Sequence, residues 1–231
     1  MRDPILITGC ARSGTSLTAG VVAACGAFGG DMFINSTLSN PKGNFENRII
    51  REGLTKPFLR SIGADPMGQY PLPDIERVRE YAAEAINVRR WREVVFCTMS
   101  AQGAPPHVPW FYKGAKMCLF WPLWFEAFPE AQWIIVRRSD TAIVKSCMRT
   151  PFMQAHKTQE GWQSWVNTHI ARFKEMKRQD GLRFREVWPE KLLAGFDDGY
   201  KEMITWLELL WNEEAVKNFI DPALWERKKY R

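Results

Sequence analysis

The sequence predicts an α/β fold, a single three-layer domain over residues 1–231 in which a central parallel sheet is flanked by helices. Three observations carry that expectation. A short β-branched run at 5–8 ends in Gly9 and leads through a loop into a helical stretch, Thr15–Ala24. A second run, Gln132–Val136, leads in the same way into a helical stretch at 141–148. Strand and helix patterns alternate along the rest of the chain, and no linker, internal repeat or low-complexity tract divides it.

Taken in order, Pro4 precedes Ile5, Leu6 and Ile7, and Thr8 extends the run to Gly9, as in a strand buried on both faces. From Thr15 to Ala24 the residues are small or apolar and none is proline, which suits a helix. Residues 46–62 carry Ile50, Leu54, Phe58 and Ile62 at helical spacing. Residues 74–91 read as a second amphipathic helix, entered by Pro71 and Pro73. Residues 94–98 read as a short strand. Residues 100–109 read as a Gly/Pro-rich loop near where an acceptor could enter a cleft. Residues 117–128 read as a helix in spite of Pro122, and the aromatics Trp110, Phe111, Tyr112, Trp121, Trp124 and Phe125 cluster there as a candidate cleft wall. After Gln132–Val136, Ser139 or Asp140 is placed to cap the next helix. A long helix at 158–179, a strand at Arg183–Val187 and a helix at 200–210 complete the pattern. In such folds ligands bind beyond the C-terminal ends of the strands, where both strand–loop–helix units place their loops.

The first loop has the frame of a phosphate cradle, G-x-x-x-x-G-x-S from Gly9 to Ser16. Gly9 and Gly14 permit backbone conformations closed to other residues. The helix that follows offers unpaired N–H groups and a dipole that favours an anion. Thr15 and Ser16 add hydroxyls, and Arg12 adds a forked guanidinium. Cys10, Ala11, Arg12, Ser13, Gly14, Thr15 and Ser16 are therefore the candidate anion-binding set. Thr15 stands where a nucleoside triphosphatase has lysine, which argues against ATP or GTP hydrolysis. Taken alone, the frame also suits a glycine turn that binds nothing. At the second strand, Arg138 closes the run and Ser146 follows eight residues later, about two helical turns on. The pair could hold one further phosphate, and it equally suits a surface arginine and a helix serine.

Together these units resemble the sulfotransferase superfamily, which uses 3′-phosphoadenosine 5′-phosphosulfate (PAPS) and releases 3′-phosphoadenosine 5′-phosphate. The segment NPKGNFE at 40–46 is similar to an element of bacterial-type members. WFYKGAK at 110–116 looks like a degraded form of another, having lost its acid and proline. FPEA at 128–131, followed by the strand, is similar to the family's approach to its 3′-phosphate arginine, and a weaker echo continues near 219–227. The resemblance implies that residues 12–16 hold the 5′-phosphosulfate and that Arg138 and Ser146 hold the 3′-phosphate. It implies Arg227, from a basic late loop, as a further ligand. It also implies Lys113 as an aid to transfer and Glu46 as the base for a hydroxyl or amine acceptor; His107, in the Pro-rich loop, is the runner-up by position.

Composition sets outer limits. The chain has five scattered cysteines without a C-x-x-C pair, read as buried reduced thiols, with Cys10 set apart by its place in the loop. Net charge is +6, from 32 basic and 26 acidic residues, which suits an anionic ligand and is too dispersed to suggest nucleic acid. No apolar run approaches the roughly 20 residues of a membrane span. A cytoplasmic enzyme acting without metal on a small-molecule or glycan acceptor is the expectation. A kinase-like transferase, or a nucleotide-binding protein that has lost transfer, are the alternatives. Neither the acceptor nor the oligomeric state is written in the sequence.

Overall fold

The computed structural model describes residues 2–34 and 40–225. Four parallel strands form one sheet in the order β2-β1-β3-β4, with β1 Ile5–Gly9, β2 Phe111–Lys113, β3 Gln132–Val136 and β4 Arg183–Val187. Three of these match the expected runs. The strand expected at 94–98 is instead part of a helix, and its place in the sheet is taken by β2. Val94, Val95 and Phe96 suggest β structure locally, but Trp91, Val95 and Met99 repeat at helical spacing and are buried on one face. Tertiary burial overrides local propensity here.

Alternation along the strands divides the core in two. Leu6, Tyr112, Trp133 and Ile135 point to one side of the sheet, and Ile5, Ile7, Phe111, Ile134 and Val136 to the other. The first side is covered by α2 (Lys56–Ser61), α3 (Ile75–Ala83), α4 (Ala85–Ala101), α5 (Trp121–Ala127) and part of α7 (Gln159–Arg178). The second is covered by α1 (Thr15–Ala24), α8 (Pro189–Leu193), α9 (Asp198–Trp206) and α10 (Glu213–Phe219). This is the expected three-layer arrangement. A third cluster joins Cys10 to α6 (Asp140–Arg149) and the start of α7.

Several helices depart from their expected bounds. The stretch expected as one helix over 46–62 is a π-helical turn, Ile50–Thr55, running into α2. Its apolar face is as read: Ile50 and Phe58 are core, and Leu54 and Ile62 pack against it. The helix expected over 74–91 breaks at Glu84, whose extended backbone (φ −80°, ψ 105°) separates α3 from α4. At 117–128 a 3-10 segment, Ala115–Phe120, precedes α5, and Pro122 sits in the first turn of α5, where it costs no hydrogen bond. Ser139 is the N-cap residue of α6, but its side chain makes no capping bond. Among the described residues no helix is long and apolar enough to cross a membrane.

Candidate active site

Strand β1 pairs with β2 on one side and β3 on the other, so the chain reverses its direction of travel across the sheet at β1. Such a switch point leaves a crevice at the strands' C-terminal ends. A cavity of about 360 Å³ lies there. It is lined by the loop after β1, by Lys113 and Ala115 after β2, by Arg138 after β3, and by Ser146 and Arg149 on α6. The segment 40–46 and the C-terminal residues Phe219, Asp221, Leu224 and Trp225 complete its walls.

The loop after β1 is built as the glycines require. A Cβ on Gly9 would lie 2.7 Å from the Val136 carbonyl oxygen, so only glycine lets β1 end this close to β3. Gly14 has φ +98°, and a Cβ there would lie 2.8 Å from both Pro189 and Trp225. Arg12 is also left-handed, at φ 73°, a conformation that a non-glycine residue holds only when its surroundings impose it. The first intrahelical bond of α1 runs from Thr18 N to Gly14 O at 3.1 Å. The N–H groups of Thr15, Ser16 and Leu17 precede it, and N–H groups at the start of a helix favour an anion.

Side chains from the second strand–helix unit converge on this loop. Arg12 donates through Nε to Ser146 Oγ at 3.1 Å, and Arg138 donates through Nη1 to the Arg12 carbonyl at 3.0 Å. Arg138 also lies 3.5 Å from Glu190 Oε1 and places its guanidinium 4.0 Å from the centre of the Trp225 ring. The two motifs, about 120 residues apart in sequence, are thus in direct contact.

The opposite wall is a buried charge cluster. Glu46 accepts from Lys113 Nζ at 3.0 Å on one oxygen and pairs with Arg51 Nε at 2.6 Å on the other. Burial pushes the Glu46 carboxyl up, but Lys113, Lys116 and Arg51 overcome it and hold the group at about 2. Burial pulls Lys116 down, to about 8, against the attraction of Glu46; its ammonium donates to the Pro66 carbonyl at 2.9 Å. Thr8 fixes this wall to the sheet. Its hydroxyl donates to the Gly114 carbonyl at 3.1 Å and accepts from Cys118 N at 2.9 Å, which locks the backbone just after Lys113. The π-helical turn that carries Arg51 is a feature often found beside functional sites.

Most of the sequence-predicted residues meet at this cavity: Ala11, Arg12, Gly14, Thr15, Ser16, Glu46, Lys113, Arg138 and Ser146 all line it. Cys10 and Ser13 do not. Both are buried beneath the loop, Cys10 against Ile143, Val144 and Cys147, and burial raises its thiol pKa well above the ordinary value. His107 is exposed in the turn that leads into β2, at the N-terminal end of the sheet and away from the cavity. The loop at 100–109 shares that location and so does not border the cavity. The aromatics from Trp110 to Phe125 pack into the core instead of lining the cavity, as Tyr112 stacked on Trp124 at 5.0 Å illustrates. Arg227 lies outside the described residues. Sequence reasoning missed Arg51, Arg149 and Trp225. Arg149 left a signal, since it follows Ser146 by three positions and so shares its helix face, and Trp225 lies within the echo at 219–227. Among the described residues no group of three or more His, Cys, Asp or Glu could hold a metal ion.

Solved structures share this architecture. The sulfotransferase STF1 of Mycobacterium tuberculosis H37Rv superposes with TM-score 0.52 at 15% identity, covering 95% of this chain and 71% of that one. The sulfotransferase domain of the Synechococcus PCC 7002 olefin synthase gives 0.58 at 13% identity, covering 99% and 82%. The sulfotransferase domain of the curacin biosynthetic pathway gives 0.53 at 12%, covering 96% and 79%. The chain has the sulfotransferase fold. No protein-family model and no curated protein matches the sequence. At these identities the likeness is one of fold, and chemistry rests on the residues of the cavity.

Proposed function

We propose that this protein transfers a sulfuryl group from PAPS to a hydroxyl or amine acceptor, a small molecule or glycan. One observation carries the reading. A loop of phosphate-cradle frame, with Thr15 at the triphosphate-lysine position and Arg12 as its only basic residue, is joined through that arginine to Ser146 and Arg138, which supports two adjacent anion positions in one cavity. The residues fit such a donor. The N–H groups at the start of α1, Arg12 and the Thr15 and Ser16 hydroxyls suit the 5′-phosphosulfate, and Arg138 and Ser146 suit the 3′-phosphate. The cavity, about 360 Å³, falls within the roughly 300–1,000 Å³ range of ligand sites.

In the transfer, the acceptor's oxygen or nitrogen bonds to sulfur as sulfur's bond to the bridging 5′-phosphate oxygen breaks. The acceptor's proton leaves to a base, and adenosine 3′,5′-bisphosphate departs. Arg12 and the loop N–H groups are preorganised to stabilise the negative charge that develops on the bridging oxygen. Lys113 lines the same cavity and adds a second cation. Glu46 is the candidate base. It is ionised throughout the neutral range, but its pairs with Lys113 and Arg51 hold its basicity down, so it takes a proton only when a cation is drawn away from it. Lys113, shared between Glu46 and the cavity, is the cation that an incoming anion can draw.

Thermal-shift titration tests the reading. Adenosine 3′,5′-bisphosphate should raise the melting temperature by mass action, and ATP or GTP should not. A response to ATP with Mg²⁺ but not to the bisphosphate would overturn it. A screen of acceptors with radiolabelled PAPS then separates an enzyme from a protein that only binds the nucleotide.

A further inference from the structure

Arg149 lies on α6 three residues after Ser146, on the same face, and lines the cavity. Its Nε donates to the Lys145 carbonyl at 3.0 Å, within its own helix. Among the described residues no carboxylate pairs with it. Three neighbouring arginines differ: Arg138 faces Glu190, Arg137 faces Glu186, and Arg51 holds Glu46 and Glu52. Arg149 is therefore a cavity-lining cation whose counter-charge no described carboxylate supplies. It is also close enough to Arg138 to act on it electrostatically. Burial depresses the Arg138 guanidinium, Glu190 opposes that, and the positive charges of Arg12 and Arg149 add to it. Arg12, which bonds the Ser146 hydroxyl, Arg138 and Arg149 thus line one side of the cavity together.

A cluster of this kind is costly unless a multiply charged anion joins it. A phosphate monoester near neutral pH carries about −1.5 to −2 charge and three strong acceptor oxygens. A sulfate ester or a phosphodiester carries a single charge. We propose that Arg149 is a specificity-determining residue of the donor site, contacting the terminal 3′-phosphate and selecting 3′-phosphorylated nucleotides over those that lack it. The proposal rests on the reading of the cavity as a PAPS site.

Binding of three nucleotides to the full chain, by calorimetry, tests it: adenosine 3′,5′-bisphosphate, adenosine 5′-phosphosulfate and adenosine 5′-phosphate. Arg149→Ala should raise the Kd of the bisphosphate roughly tenfold, the loss of one charge-assisted contact, and leave the other two unchanged. Arg149→Lys should recover part of the loss, because it restores charge without the fork. The residue is exposed, so the variants should fold, and unchanged melting temperatures will confirm that. Equal losses for all three nucleotides, or no loss for any, would overturn the selective role of Arg149 while leaving the donor reading intact. Wild-type protein that binds the bisphosphate no better than adenosine 5′-phosphate would overturn both.

Discussion

The two walls of the cavity are built by different physics. The wall that includes the loop after β1 is a product of backbone geometry: Gly9 lets two strands close, Gly14 turns the chain at φ +98°, and the start of α1 presents N–H groups. The wall around Glu46 is a product of mutual charge: Lys113 at 3.0 Å, Arg51 at 2.6 Å and Lys116 behind them. The first wall takes its turns from its glycines, and Arg138 and Arg12 add single bonds across the loop. In the second the charges hold one another, and removing one strands the others in a buried setting. Substitutions in the first should therefore alter binding with little cost to folding, and substitutions in the second should alter turnover and stability together.

The largest effect is expected at Lys113. Lys113→Met should lower turnover by about 10²–10³-fold, the usual cost of one preorganised charge-stabilising group, and should lose less in affinity for adenosine 3′,5′-bisphosphate. It should also lower the unfolding midpoint, because Arg51 is then the only direct ion-pair partner of Glu46 among the described residues. Adding Glu46→Gln to Lys113→Met should recover stability without recovering turnover. Glu46→Gln alone tests the base: near-normal turnover with donor bound would remove Glu46 from that role. If Lys113→Met retained full turnover, the charged wall would be structural only.

Arg138 gives the contrasting case. Arg138→Ala should weaken the bisphosphate roughly 30-fold through loss of a charge-assisted pair. The unfolding midpoint should scarcely move, since its partner Glu190 is partly exposed and returns to water readily. A large drop in midpoint with binding intact would abolish the distinction between the two walls.

The pH dependence of stability sharpens the same contrast. Glu46 is held at about 2 in the folded protein against an ordinary 4.5, so its contribution is present above 4.5 and is lost as pH falls toward 2. His169 acts in a neighbouring window. Burial depresses it to about 4 from 6.5, so the folded state resists its protonation and stability falls as pH drops from 6.5 toward 4. Unfolding midpoints measured against pH should show both losses in the wild type. Glu46→Gln should remove the lower one and keep the upper one. Persistence of the lower limb in that variant would mean that the ion cluster does not govern it.

This division also explains what the sequence made legible. The loop from Gly9 to Ser16 and the unit from Gln132 to Ser146 are local: strand, turn and helix each leave a pattern within a dozen residues, and β1, β3, β4 and α1 lie where those patterns put them. Lys113 comes from a segment remote from Glu46 and Arg51, its contact with Glu46 depends on β2 pairing with β1, and β2 is only three residues long. A strand that short has no readable periodicity, and Val94–Val95–Phe96 offered a better local imitation. The π-helical turn hid Arg51 as well, because helical spacing rules assume a period of 3.6. The aromatics were visible as a cluster, but nothing local told core from cleft. Trp121 and Trp124 are buried in the helix layer beneath the sheet, where their area serves the core.

The smallest effect is expected at His107, and it tests where the reaction takes place. The residue is exposed in the turn that delivers the chain to the start of β2, where the Trp110 carbonyl accepts from Ile5 N at 2.9 Å. That is the N-terminal end of a parallel sheet, and the loop after β1 lies at the other end. A histidine there can reach an acceptor only if the acceptor does not occupy the cavity. His107→Ala should leave kcat and KM within about twofold of wild type, as surface substitutions generally do. Loss of turnover at an unchanged unfolding midpoint would place the acceptor at the wrong end of the sheet for both walls described here, and the comparison between them would no longer concern the chemistry.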